Sequence, residues 1–284
     1  MTGHPIVSVL MTSYNREKFI GEAIESVLAS TFKDFELIVV DDCSKDGTVG
    51  IARTYEQADP RVKVYVNEQN LGDYNNRNKA ASYATGTYIK YWDSDDVMYP
   101  HCLDVMLRSM LKYPGAGLGL IKPHLPYFPD PYPFVIQKPF ETFSKHQDLF
   151  SNSPGSAIMR RDVFNRVGGF SGKRYIGDFE FWLKISQHTP LVIIPGFLGW
   201  DRTHPGQERD FDEVAYEKLA IDALSEAFAS SKLENIEELK KKVIGERVAA
   251  SKKIIAKNLL RLNFSAAMRK FKLLTYLQQK TKDQ

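Results

Sequence analysis

Short apolar runs and amphipathic stretches alternate through the first hundred residues. Val7 to Thr12 reads as a strand, and Lys18 to Leu28 follows with apolar residues at helical spacing. Leu37 to Val40 reads as a second strand, a helix opens near Gly47, Val62 to Val66 reads as a third strand, and Asp73 to Ala84 as the next helix. Thr87 to Trp92 then alternates β-branched and aromatic residues and stops abruptly at Asp93-Ser94-Asp95-Asp96. Strand and helix in regular alternation predict an α/β fold with a mostly parallel sheet and helices on both faces.

The pattern loosens after residue 100. Pro114 to Pro139 holds seven of the 14 prolines, with Tyr127, Phe128, Tyr132 and Phe134 among them, and predicts an irregular segment over the sheet, long enough for a lid or binding loop. A strand at Ser156 to Met159, a short helix closing at Gly168-Gly169, a helix from Asp178 and a strand at Leu191 to Ile194 complete this part. Beyond Asp210 the pattern is wholly helical. Val243-Ile244, Val248, Ile254-Ile255, Leu259-Leu260, Leu262 and Phe264 recur at helical spacing among lysines, and Met268 to Leu277 repeats the theme. The expected organisation is a domain over 1–210, split into 1–100 and 101–210, and a helical region over 211–284.

Charge sharpens that division. The formal net charge is +3, yet Lys240 to Gln284 carries 13 Lys or Arg against Glu246 and Asp283, about +11, leaving about −8 for the rest. No run reaches the length of a membrane span; Leu191 to Trp200 is short and broken by Pro195 and Gly196. Met1 to Pro5 has no basic n-region, so a secretory signal is not expected and a cytoplasmic or peripheral location is. Cys43 and Cys102 are the only cysteines and have no metal-ligand spacing; Cys43 reads as a small buried residue.

Chemistry concentrates at strand ends. Open α/β sheets bind ligands at the carboxyl ends of their strands, where Asp93, Asp95 and Asp96 arrive together. Carboxylates gathered there repel one another, and a hard divalent cation carrying phosphate oxygens relieves the repulsion. The alternative is an Asp-rich turn with solvated side chains.

Val9-Leu10-Met11-Thr12-Ser13-Tyr14-Asn15, Val39-Val40-Asp41-Asp42-Cys43-Ser44-Lys45-Asp46-Gly47-Thr48, Asn70-Leu71-Gly72 with Arg77-Asn78, and Asp93-Ser94-Asp95-Asp96 together resemble the ordered signatures of the family 2 glycosyltransferases. The resemblance spans Ile6 to Gly206 and implies a GT-A fold, an inverting reaction and a nucleotide-sugar donor. It implies that Asp93 and Asp95, flanking Ser94, clamp Mn or Mg, with one carboxylate on the metal and the other on ribose or sugar. Asp42 would accept from the ring NH of the base, a contact that does not discriminate UDP, dTDP and GDP. Its other reading is a turn or N-cap residue. Tyr14 would stack on the base while Thr12 meets its polar edges; a rim aromatic is the alternative for Tyr14. Arg77 would reach base or phosphate, or sit as a solvated helix-face residue.

Inversion also needs a base facing the sugar from the acceptor side. Asp178, in Tyr175-Ile176-Gly177-Asp178-Phe179-Glu180, occupies the second position of the family's Glu-Asp pair, with Gly177 in place of the Glu. It is the candidate base, an N-cap is its competing role, and Glu180 is the fallback. His204 resembles a late histidine that touches metal or diphosphate; a surface turn residue is the alternative. Pro154-Gly155-Ser156 would let backbone approach a ligand or serve as an ordinary turn.

A nucleotidyltransferase would open with a Gly-rich phosphate loop where this chain has Thr-Ser-Tyr-Asn-Arg. A processive synthase would carry membrane spans and a Gln-x-x-Arg-Trp motif. A non-catalytic nucleotide or glycan scaffold is opposed by the presence of Asp93, Asp95 and Asp178 together. The expected activity is transfer of one sugar, most simply from a UDP-sugar, to a glycan or lipid-linked acceptor in surface polysaccharide or lipopolysaccharide assembly, with no nucleic acid partner. For the basic tail two readings stand: a hairpin packed on the domain or on a sister subunit, or a surface resting on an anionic membrane.

Overall fold

The computed structural model describes residues 3–122, 133–145, 147–204 and 212–282. The predicted alternation is present as β1 (Val7–Ser13), α1 (Ile20–Leu28), β2 (Phe35–Asp41), α2 (Thr48–Ala58), β3 (Val62–Val66), α3 (Asp73–Tyr83) and β4 (Tyr88–Asp93). There follow β5 (Val97–Met98), α4 (Cys102–Lys112), β6 (Leu118–Lys122), β7 (Phe134–Ile136), β8 (Ala157–Arg160), α5 (Arg161–Val167), α6 (Gly177–Ile185), β9 (Leu191–Pro195) and β10 (Gly199–Trp200). The helical region is α7 (Glu213–Ser230), α8 (Ile236–Leu260) and α9 (Phe264–Lys282).

The main sheet has the order β3-β2-β1-β4-β8-β6-β9-β7. β1 lies between β2 and β4, parallel to both, and β2 is parallel to β3. β8 runs antiparallel to β4 and β6, and β7 antiparallel to β9. β1 and β4 are therefore central, and their carboxyl ends, Thr12 and Asp93, are register partners. The short ribbon of β5 and β10 pairs Trp200 with Val97 just beyond them.

Side-chain alternation splits the core into two layers. Leu10, Ile38, Val40, Ile89 and Tyr91 face α3, α5, α6 and α7, whereas Val9, Met11, Leu37, Val39 and Trp92 face α1 and α4. Burial on both faces is why these strands read as continuous apolar runs.

Two expectations need correction. Pro114 to Pro139 is not irregular throughout, because β6 and β7 lie within it and both pair with β9. Tyr127, Phe128 and Tyr132 lie outside the described residues, as do Pro205 and Gly206. The pattern reading also passed over α4, although Cys102, Leu103, Met106, Leu107 and Met110 have helical spacing and are buried.

Candidate active site

A cavity of about 1140 Å³ opens at the carboxyl ends of β1, β2 and β4. Thr12, Tyr14, Asp42, Arg77, Asp93, Ser94, Asp95 and Asp178 all line it. Thr12 is nearly buried at the end of β1, and Tyr14, just past it, exposes its ring.

The Asp42 carboxylate anchors the turn that leads into α3. Its Oδ1 accepts from Asn67 Nδ2 and Leu71 N, both at 2.8 Å, and its Oδ2 accepts from Gly72 N at 2.9 Å. Gly72 enters the helix at φ 82°, a conformation that costs a side-chain-bearing residue dearly, and this explains the glycine of Asn70-Leu71-Gly72. Asn67 also donates to Asn76, which donates to the Val40 carbonyl, so the wall under Asp42 is a closed polar network. Asp41, its neighbour, is engaged separately by Ser13 and Ser44.

Arg77 is buried, so its solvated reading is corrected. Its Nε donates to Asp73 at 2.9 Å and its Nη2 to Asp93 Oδ1 at 2.8 Å, while the buried Nη1 meets no hydrogen-bond partner among the described residues. Two carboxylates and the Tyr91 ring, 5.7 Å from the guanidinium, thus hold Arg77 in the cavity wall beside Asp93.

Asp95 is met from the other side. Its Oδ2 accepts from Arg16 Nε at 3.0 Å and faces His204 Nε2 at 3.0 Å. His204 is fixed by stacking on Phe19, ring centroids 4.3 Å apart. Arg202, two residues earlier, lies over the Phe19 and Trp200 rings and pairs with Glu22. The start of α1 thus carries the segment that delivers His204 to Asp95.

A carboxylate oxygen beside an imidazole nitrogen, with Asp93 adjacent, is a donor set that suits Mn or Mg. Among the described residues no three His, Cys, Asp or Glu side chains converge on one point, so the remaining ligands would come from phosphate and water. Asp96 completes the acidic cluster. Burial, together with Asp93, Asp95 and Asp201, pushes its pKa up to about 7 against a 2.9 Å bond from Arg202 N.

On the opposite wall, α6 begins at Gly177, and Ile176 precedes it without a side-chain cap bond. Asp178 lies within the first turn, so it is not the N-cap. Its Oδ1 accepts from Phe179 N at 2.7 Å, and the Tyr74 hydroxyl donates to the same carboxylate. Burial nevertheless raises its pKa to about 6, because desolvation outweighs those two donors and Arg77. A Cβ on Gly177 would come within 2.6 Å of the Tyr74 ring, so the glycine leaves room for the tyrosine that bonds Asp178. The fallback base is corrected: Glu180 is engaged by Ser171 and Lys173 and does not line the cavity.

Several lining residues carried no sequence signal. Tyr216 arrives from α7, more than a hundred residues from the strand ends, and Arg174 and Tyr175 from the loop before α6. Arg16 sits in the quoted Thr-Ser-Tyr-Asn-Arg turn, but nothing local marks it as a partner of Asp95. Lys90 is fully buried in β4; its Nζ donates to Gly155 O and Tyr91 O and lies 4.7 Å from the Trp92 ring. Through Gly155 it ties the Pro154–Ser156 turn, whose Pro154 lines the cavity together with the preceding Ser153, to the strand carrying Asp93. Cys43 is corrected as well. It is half-buried at φ 68°, with its Sγ 3.1 Å from Lys45 Nζ.

The profile described as Glycosyl transferase family 2 matches residues 8–168. An uncharacterized glycosyltransferase of Methanocaldococcus jannaschii, MJ1057, is 41% identical over 231 residues, 76% of either chain. The Escherichia coli UDP-Glc:alpha-D-GlcNAc-diphosphoundecaprenol beta-1,3-glucosyltransferase WfgD is 40% identical over 107 residues, 38% of this chain and 42% of WfgD. In fold, the mannosyltransferase PcManGT of Pyrobaculum calidifontis, solved with GDP-Man and Mn2+, superposes with a TM-score of 0.61 over 99% of this chain and 87% of its own, at 17% identity.

Proposed function

The chain belongs to glycosyl transferase family 2, and on that premise we propose that it is an inverting, metal-dependent enzyme moving one sugar from a nucleoside diphosphate donor to a hydroxyl of a glycan or lipid-linked acceptor. A UDP-sugar is the proposed donor and surface-glycan assembly the proposed setting. WfgD, similar to this chain over 107 residues, is named for a UDP-Glc donor and an alpha-D-GlcNAc-diphosphoundecaprenol acceptor. One observation carries the reading: a single cavity has the Asp93 and Asp95 carboxylates on one wall and, on another, Asp178 with its pKa raised to about 6.

Each group then has a task. Tyr14 stacks on the base, and Thr12 and the Asp42 network form the polar wall beside it. Arg77, in the cavity wall beside Asp93, offers its positive charge to the donor phosphates. Asp95, with His204 beside it, would hold the divalent ion while Asp93 faces ribose or sugar; the ion when bound supplies charge stabilisation for the departing diphosphate. Asp178 receives the acceptor hydroxyl proton as the acceptor oxygen bonds to the anomeric carbon and the bond from that carbon to phosphate breaks. A carboxylate with a pKa near 6 is ionised at neutral pH yet basic enough to share a proton in the transition state.

Asp95→Asn tests the clamp, since an amide keeps the shape and removes the charge. Metal-dependent binding of UDP by calorimetry is expected to be lost while the circular dichroism spectrum is unchanged. Equal UDP affinity of variant and wild type at saturating Mn would overturn the assignment.

A further inference from the structure

The far end of the α8–α9 hairpin carries an apolar face that no described residue covers. Near the body of the protein the hairpin packs well: Leu239, Val243, Leu273, Leu274 and Leu277 are buried, and the first two belong to the catalytic core layer. Toward the turn the pattern inverts. Leu260 is 87% and Leu262 75% exposed, and Phe264, Met268 and Phe271 are exposed beside them.

The turn itself is unusual. Leu262 adopts φ 56°, a left-handed conformation that a leucine takes at a steric cost and a glycine would take freely. The next residue, Asn263, is used instead to cap α9, its Oδ1 accepting from Ala266 N. A strained leucine at an exposed apex does nothing for packing within the chain, which points outward.

Charge identifies what lies outward. Between Arg247 and Lys282 the sequence has no acid. Lys252, Lys253, Lys257, Arg261, Arg269 and Lys272 are exposed, and among the described residues none of them makes an ion pair. A second copy docked tip to tip would set this basic collar against itself. An anionic lipid leaflet satisfies both features, taking the leucines and phenylalanine into its acyl boundary while the lysines stay among the headgroups. No described helix is long and apolar enough to cross a membrane, so the contact is a partial insertion of the tip.

We propose that the α8–α9 turn is a membrane-docking tip, inserting Leu260, Leu262 and Phe264 into an anionic leaflet under a collar of Lys and Arg. Docking is independent of the sugar-transfer chemistry, and each can fail without the other. The test is flotation of the full chain with vesicles of phosphatidylcholine alone or mixed with phosphatidylglycerol. Wild type is expected to float with the mixed vesicles only, and less at high salt. Replacing Leu260, Leu262 and Phe264 together by Ser, Gly and Ser should weaken partitioning at least about tenfold. Lys252→Glu with Lys253→Glu and Lys257→Glu should weaken it further, since each basic residue near the surface is worth roughly fivefold. Unchanged circular dichroism and donor hydrolysis in solution would show that these variants fold. Absence of flotation, equal flotation on neutral vesicles, or partitioning indifferent to the tip variants would overturn the proposal. So would self-association in sedimentation that the tip variants abolish, which would make a second copy the occupant.

Discussion

Asp178 illustrates how one side chain can work against the fold it belongs to. Its folded pKa of about 6 stands above the 3.8 of a free carboxyl, so the folded state holds its proton more tightly. Its contribution to stability is full below 3.8 and is lost as pH rises toward 6. Asp178→Asn should therefore lose about 10²- to 10⁴-fold in turnover while its melting temperature at pH 7 is no lower than wild type. A parallel fall in both would mark Asp178 as structural. The same carboxyl predicts an acid limb in kcat/KM with an apparent pKa near 6. Tyr74 lowers that pKa through its hydroxyl, so Tyr74→Phe should move the limb to higher pH, as a pH-rate profile would show. Gly177 belongs to the same unit. Gly177→Glu would restore the family's Glu-Asp pair but place a side chain in the Tyr74 ring, so lower turnover is expected.

At the scale of elements, β4 links the buried sheet to the clamp. Lys90 sits in this strand with no ion pair among the described residues, and burial, outweighing the more distant Asp93, Asp201 and Asp96, lowers its pKa to about 8 from 10.5. Below pH 8 the buried charge penalises the folded state fully; the penalty fades between 8 and 10.5, where only the unfolded chain still binds the proton. Denaturant titrations across that window should show wild type gaining stability relative to Lys90→Met. Parallel curves would mean that Lys90 titrates normally and is not desolvated. The basic helices make a different point. Of the two readings of the tail pattern, packing on the domain describes the start of α8 and the second half of α9, and the exposed turn is where that reading stops.

The whole molecule does not divide cleanly at the change in sequence pattern near residue 210. Ala220, Ala223, Leu224, Ala227 and Phe228 of α7 share a core layer with β1 and β4, and Tyr216 lines the cavity. A chain ending at residue 210 is thus expected to melt well below the full chain or to aggregate, and calorimetry of the full chain should give one transition covering both parts. Two independent transitions would contradict that unity. The sequence by itself determined the strand and helix order, the strand-end carboxylates and the glycine entering α3, because alternation, helical spacing and turn chemistry act over a few neighbouring residues. Only the tertiary structure decided that Arg16 and His204 meet on Asp95, that Tyr74 rather than a glutamate attends Asp178, and that Glu180 faces away. It also decided which half of the basic hairpin is buried. Apolar burial is non-directional, so an apolar stripe records that a face will be covered and not by what. Electrostatic partners separated by tens to hundreds of residues meet only once the core has set the distances between them.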